Sequence, residues 1–383
     1  MASPSQSAYP RNQGIARRKV MDHTLNRLSG KLQRMAEKNL SPRAYRSACL
    51  SLLGGAVPHD GACFTGVDGD TGLSTGSVTD SVVEAIHPRL FDYEYRGEDY
   101  NRYDDLAASP LPAAGLVLAS DGQPERSARY RDILSPAGFG DELRAVLTAR
   151  GRRCGHLSLL RRPDRPPFTE DEVRLVAALL PQMAAYLRQA AFSGENEPEN
   201  AAGQPLPLPH ESGVFVLSDR LRLLAASASA EGWLAVLRGA EQIEPDVMPR
   251  PVRAVCTRAL SPSPQDGSAA DPAARVCVPV PGGRYVGIRA SRMETADGDT
   301  QIAVTVERAR PADILPVLAE TFGLTERERE VVDRVVQGLS GKEAALALHM
   351  SEYTLQDHLK SVFRKTGTKS RRELVWQLYS RFN

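Results

Sequence analysis

The sequence has no run of 18 or more apolar residues, so no membrane-spanning helix is expected. Its first twenty residues lack the apolar segment of a secretory signal, and a cytoplasmic protein is expected. An excess of one charge is also missing. Lysine and arginine number 48 against 47 acidic residues, a net charge of +1. Nothing global therefore attracts nucleic acid, and any such signal must be local. The five cysteines (Cys49, Cys63, Cys154, Cys256, Cys277) are odd in number, widely spaced and free of CxxC. That excludes a disulfide framework and fits reduced, buried thiols.

Catalytic signatures are absent as well. The chain contains no GxxxxGK[ST], HExxH or GxGxxG. Gly338 to Lys342 has the wrong spacing for a phosphate loop. The histidines are dispersed, which leaves no metal constellation. Asp104-Asp105 is a candidate acidic pocket, but the surrounding order of elements is not the alternating pattern of a phospho-acceptor domain. No enzymatic activity, catalytic residue, cofactor or metal is assigned.

What is present lies mostly at the end of the chain. Thr325–Glu328, Ser340–Glu343 and Ser370–Glu373 have the spacing of capping boxes, in which a hydroxyl and a carboxylate satisfy two orphan backbone donors. Ser351 is a fourth cap candidate, with Thr354 at the third position. Gly338 and Gly367 sit where left-handed residues close helices. The spacing predicts helices at about 326–337, 341–348, 352–366 and 371–381. Apolar stripes agree: Val331, Val332, Val335 and Val336 on the first, Leu355, Leu359, Val362 and Phe363 on the third, Leu374, Val375, Leu378 and Phe382 on the fourth. Only His349-Met350 joins the second and third, which forces a tight helix-turn-helix.

The outward face of the third helix carries Thr354, Gln356, Asp357, Lys360, Ser361 and Arg364, groups that meet base edges and phosphates in a major groove. Residues 358–383 hold seven basic side chains against one acidic, whereas 326–357 hold four basic and seven acidic. That asymmetry is the footprint expected of phosphate contacts.

The run LTEREREVVDRVVQGLSGKEAALALHMSEYTLQDHLKSVFRKTGTKSRREL closely resembles the LuxR-type (NarL/FixJ-like) helix-turn-helix of transcriptional regulators. The matching elements are Leu324-Thr325, Arg327 to Val331, Gly338-Leu339-Ser340, Lys342-Glu343, Ser351, Thr354, His358-Leu359, Lys365, Gly367 and Ser370-Arg371. Departures are Gly341 for the family's usual Asn, Ala344 for its usual Ile, and Thr354-Leu355-Gln356 for the frequent Thr-Val-Lys. The resemblance implies base reading by Thr354, Gln356, Asp357 and Lys360. It also implies phosphate contacts by Lys342, Ser351, Arg364, Lys365, Lys369 and Arg371. Double-stranded DNA is the implied partner, with a homodimer as the binding form and RNA polymerase as a further candidate partner.

Upstream, residues 1–20 read as a disordered tail, and Leu25, Leu28, Leu32 and Met35 make a helical stripe. A helix is expected from Pro42 to Leu53 and strands at Ala62 to Val67 and Gly115 to Ala119. A turn region is expected up to Thr79 and a short helix at about 126–134. Leu143 to Ala149 and Cys154 to Leu160 form a hairpin, and a long helix opens at the Thr169–Glu172 box. Residues 21–192 thus read as an α+β domain. On the order of elements, Asp141 to Arg144 and Pro167-Phe168-Thr169, it resembles the GAF-type sensor that precedes LuxR-type helices in actinomycete regulators. A small-molecule ligand is therefore a candidate partner, and a dimerising or structural role is the alternative.

Residues 193–210 are a polar, then Pro-rich linker. Residues 211–310 read as two strands, two helices and three antiparallel strands, an order similar to PAS domains, with Trp233 more at home in the core than in a pocket. Residues 311–320 are a connecting helix to the unit at 321–383. The expected protein is multidomain: α+β GAF-like, α+β PAS-like, then an all-α four-helix LuxR-type unit acting as a sequence-specific regulator gated by its upstream domains. A second reading stays open, a ligand-binding or protein-interaction sensor whose helical tail binds a protein. Asp357 on the recognition face keeps it open.

Overall fold

The computed structural model describes residues 9–38, 40–94, 99–190, 206–261 and 274–379. The first unit is built from α1 (Tyr9–Ala36), α2 (Pro42–Gly54), β1 (Gly61–Val67), β2 (Ser74–Thr79), α3 (Ser81–Glu94), α4 (Tyr103–Ala108), β3 (Ala113–Gly115), α5 (Leu116–Ala119), β4 (Asp141–Ala149), β5 (Arg152–Arg161) and α6 (Glu170–Ala190). Its antiparallel strands lie in the order β2-β1-β5-β4-β3.

Period-two alternation decides what each face of this sheet meets. Phe64, Leu143, Leu157 and Leu159 point to one side and pack with Leu28 and Leu32 of α1, Tyr45 and Leu53 of α2, and Val176, Leu180 and Met183 of α6. Their neighbours Cys63, Thr65, Glu142, Arg144, His156 and Ser158 point to the other. There, under α3 and α4, they line a cavity of about 70 Å³. The apolar face holds the unit together, and the polar face borders the space.

The second unit comprises β6 (Gly213–Ser218), β7 (Leu223–Ala226), α7 (Ala230–Glu241), α8 (Arg250–Leu260), β8 (Arg275–Val280), β9 (Arg284–Glu294) and β10 (Thr300–Arg308). Its strand order, β7-β6-β10-β9-β8, repeats that of the first sheet. Trp233 is core: it is 1% exposed, and its Nε1 donates to the Glu211 carbonyl at 2.8 Å. At the sheet's edge, β7 leaves Leu223 and Leu224 about half exposed.

Then come α9 (Pro311–Phe322), α10 (Glu326–Val336), α11 (Gly341–Ala347), α12 (Glu352–Thr366) and α13 (Arg371–Tyr379). Val331, Val335, Ala344, Ala345, Leu348, Leu355 and Leu359 make the core of this helical unit. A separate cluster joins Cys277 and Tyr285 of the middle sheet to Ile314 and Leu318 of α9, and on to Val332, Val362 and Leu374. Through α9, the helical unit shares apolar contacts with the sheet before it.

Several expectations need correction. Residues 9–20 are not a tail: α1 begins at Tyr9, and only 1–8 lie outside the described residues. Gly115 to Ala119 is not a strand. The chain pairs with β4 only at Ala113–Gly115 and then coils, and Ser120, closing the turn, donates its hydroxyl to the Leu116 carbonyl at 2.8 Å. The turn region before Thr79 contains β2, a strand of hydroxyl residues whose Ser77 bonds Thr65 on β1 at 2.7 Å. Of the linker, residues 191–205 lie outside the described residues, while Leu208 is buried on the second unit. Outside them too lie 262–273, and 380–383 with Arg381 and Phe382.

The first two units are joined by buried charge. Arg250, 3% exposed at the start of α8, pairs through Nη1 with Glu241 at 2.8 Å. Its Nη2 donates to Thr79 at 3.1 Å and pairs with Glu84 across the boundary. Leu73 and Phe91 of the first unit complete the join by packing into the second unit's core. Removing one partner of a buried pair leaves the other charge unmatched. Arg250→Ala is therefore expected to cost about 3–5 kcal/mol of unfolding free energy in a urea titration. A loss below about 1 kcal/mol, the value of a surface pair, would show that the cluster does not hold the units together.

Candidate nucleic-acid interface

Capping chemistry sets where each helix of the last unit starts. Thr325 Oγ1 accepts from the Glu328 amide at 3.2 Å while Glu328 Oε2 accepts from the Thr325 amide at 2.7 Å. Ser340 and Glu343 reciprocate in the same way, at 3.3 and 2.7 Å. Ser351 Oγ caps α12 by accepting from the Thr354 amide at 3.1 Å. The fourth box differs by one residue: the Glu373 amide donates to Ser370, but the Glu373 carboxylate reaches past it to the Lys369 amide at 2.7 Å. Each such cap contributes about 0.5–2 kcal/mol. Gly338 at φ +84° and Gly367 at φ +72° end α10 and α12 in the left-handed region, as their spacing implied.

With Leu355, Leu359 and Val362 buried, α12 turns Gln356, Asp357, Lys360 and Arg364 to solvent. Lys360 Nζ sits 3.2 Å from Asp357 Oδ1, a pair whose side chains are 72% and 50% exposed, so neither group is committed. Gln356 lies beside the start of α11, where a Cβ on Gly341 would stand 3.9 Å from its Nε2. Lys342, Ser351 and Lys369 are exposed around this face. Thr354 is exposed too, but its hydroxyl is within 2.8 Å of Ser351 Oγ, in the cap.

Three expected contacts are engaged inside the unit. Lys365 Nζ donates to Glu328 Oε2 at 2.5 Å and to the Gly323 carbonyl at 3.1 Å, bridging α12 to the start of α10. Ser361 is turned inward, donating to Glu328 Oε1 at 2.7 Å. Arg371 donates to the Leu339 carbonyl and so ties α13 to the turn before α11. Sequence reasoning passed over Tyr353, 76% exposed. It falls three, four and seven residues before Gln356, Asp357 and Lys360, on their face of the helix. That spacing was the available signal.

The unit is docked from behind. Arg329 of α10 pairs with Asp70 of the first unit at 3.5 Å, and Asp70 also takes Arg152 at 2.5 Å. At Gly323, φ +62°, a Cβ would stand 1.1 Å from Arg150 Nη1, so a side chain there would have to displace the Arg150 guanidinium and adopt a left-handed backbone. Neither contact touches the exposed face of α12.

Among the described residues no group of three or more His, Cys, Asp or Glu side chains is placed to hold a metal ion. No described helix is long and apolar enough to cross a membrane. All five cysteines are free thiols; Cys49, Cys256 and Cys277 are buried, and burial pushes Cys49 and Cys256 up to about 12.

Residues 323–377 match the family model "Bacterial regulatory proteins, luxR family". The spore germination protein GerE of Bacillus subtilis is 42% identical over 55 residues, 14% of this chain and 74% of that protein. The nitrate/nitrite response regulator protein NarP of Escherichia coli is 44% identical over 48 residues, 12% of this chain and 22% of that one. The chain thus spans about a fifth of NarP and three quarters of GerE. A solved Vibrio cholerae VqmA dimer is 16% identical, covering 45% of this chain and 84% of that one with a TM-score of 0.19, too low a superposition to bear on the architecture.

Glu328 gives the site a pH signature. Burial alone would raise its carboxyl, but the Lys365 ammonium, the Thr325 amide and the Ser361 hydroxyl override it and hold it down to about 2. A depressed carboxyl contributes stability that is complete above its unfolded value near 4.5 and lost as pH falls toward 2. Glu328→Gln, which retains a capping side chain, is expected to cost about 1.5–3 kcal/mol at pH 7. It should also flatten the fall in stability on acidification below about pH 5. Denaturant titrations at pH 7 and pH 3 check both, and an unchanged pH dependence would contradict the assignment.

Proposed function

The chain belongs to the luxR family of bacterial regulatory proteins, and we propose that it is a sequence-specific, DNA-binding transcriptional regulator. The observation that carries this is the α12 face. Gln356, Asp357, Lys360 and Arg364 stand free in solvent on a helix fixed by its cap, its core and Glu328. In this reading α12 enters the major groove. Gln356 pairs with adenine, Asp357 accepts from cytosine N4, and Lys360 donates to guanine, with Thr354 at the groove's edge. Lys342, Ser351, Arg364 and Lys369 meet phosphates. Lys365 and Arg371 act instead by holding α10, α12 and α13 in register, their cationic groups already having protein partners.

The protein acts in the cytoplasm as a homodimer on an inverted repeat, with half-sites about one helical turn apart. The first two units are GAF-like and PAS-like modules that sense a signal or pair protomers. Their shared strand order and the cavity under α3 and α4 support this. The apolar cluster through α9 is the physical link by which a change upstream would reach the helix-turn-helix.

Selection of genomic DNA by the full chain at two salt concentrations tests the reading, with enrichment of one inverted repeat expected. Lys360→Ala should weaken specific binding by about 1–3 kcal/mol, and Gln356→Ala should change the preferred sequence. Lys369→Ala should weaken all sequences alike and lower the salt slope by about one. If no sequence is enriched, DNA reading fails and the helical unit is a protein-binding module.

A further inference from the structure

Where the first unit, the middle sheet and α9 meet, there is a partly open cavity of about 90 Å³. Its wall includes Arg46 of α2, Asp68 after β1, Thr75 of β2, Leu187 of α6, Tyr285 of β9 and Val317 of α9. Most of this lining is apolar or backbone. Two arginines, Arg46 and Arg188, also line it, and Arg46 is the one that needs an explanation.

The Arg46 guanidinium is only partly satisfied. Its Nη1 donates to the Gly76 carbonyl at 2.9 Å, and its Nε is buried with no hydrogen-bond partner. Among the described residues no carboxylate lies within ion-pair distance of it, and burial drives the group down to about 10, only partly offset by the field of Glu241. The single carboxylate in the wall is already occupied. Asp68 Oδ1 accepts from the amides of Asp70 and Thr71 at 3.0 and 2.9 Å, and Oδ2 from the Cys277 amide at 3.4 Å. Strand β1 is shaped around the cation. A Cβ on Gly66 would stand 2.6 Å from Arg46 Nη1 and 2.8 Å from Thr75 Oγ1.

A guanidinium taken out of water without a counter-ion is costly, and a planar fork of donors is met best by an oxyanion. We propose that this cavity is a binding site for a small oxyanion, a carboxylate or a phosphate, held by Arg46. Nothing in the regulator reading requires such a site, and the two stand or fall separately. The opposite wall is α9, through Val317 and Thr321, and the Thr321 hydroxyl also reaches the Arg188 carbonyl of α6 at 3.4 Å. An occupant therefore touches both the first unit and the helix that leads into the helix-turn-helix.

The test is the unfolding midpoint of the full chain titrated with inorganic phosphate and, separately, with succinate, each against sodium chloride at matched ionic strength. A saturable rise of roughly 2–4 °C with one of them is expected, and the anion that produces it identifies the source. Arg46→Met should abolish the response. Thr75→Asp places a carboxylate beside Arg46, so it should raise the midpoint without added anion and leave nothing for the anion to add. That second variant decides the matter if the first does not fold. No saturable rise with either anion overturns the proposal. So does a rise that survives both substitutions, which would put the anion on the basic helices at the end of the chain.

Discussion

A carboxylate shut away from water must be met by donors or lose its charge, and at Glu328 the donors come from two helices of the helical unit. The Thr325 amide belongs to the start of α10, the Ser361 hydroxyl and Lys365 ammonium to α12. One side chain therefore fixes where α10 begins and how α12 lies across it. The orientation of the exposed α12 face follows from that, because Leu355, Leu359 and Val362 are already committed to the core on the other side. The residues proposed to read bases do no structural work themselves. Their positions are inherited from Glu328 and the caps.

The same economy joins the larger units. Arg250 satisfies Glu241 within its own unit and Glu84 and Thr79 in its neighbour, and Asp70 takes one arginine from β5 and another from α10. Between them runs the cluster of Cys277, Tyr285, Ile314, Leu318, Val332 and Leu374. Boundaries of this kind are specific where they are charged and adhesive where they are apolar. A shift in one unit cannot be absorbed silently by a linker, because the contacts on either side of α9 are packed rather than tethered.

How far the sequence revealed this depends on whether the signal was local. Caps at Thr325, Ser340 and Ser351 and stops at Gly338 and Gly367 are written within four residues, and the structure has them where they were read. The β4–β5 hairpin was equally plain. What escaped depended on distant partners. β2 carries no apolar alternation and exists because β1 pairs with it. α3 has Pro88 in its interior, a breaker by local rules, yet Asp80 caps its start at 2.9 Å and Val83 anchors it in the core. Lys365 and Arg371 looked like free cations because nothing nearby in sequence announces Glu328 or the Leu339 carbonyl as their partners. The α12 face was legible by periodicity, but which of its polar groups were already engaged was not.

Repeating one strand order in two sheets gives the molecule four sheet margins, and one of them is a standing hazard. β7, at the rim of the second sheet, presents Leu223 and Leu224 to water. A rim strand with greasy side chains is a template on which another chain can crystallise into a fibril. At four residues, β7 offers only a short ladder, which blunts that hazard. Lengthening that strand while leaving its leucines in place would trade solubility for order of the wrong kind.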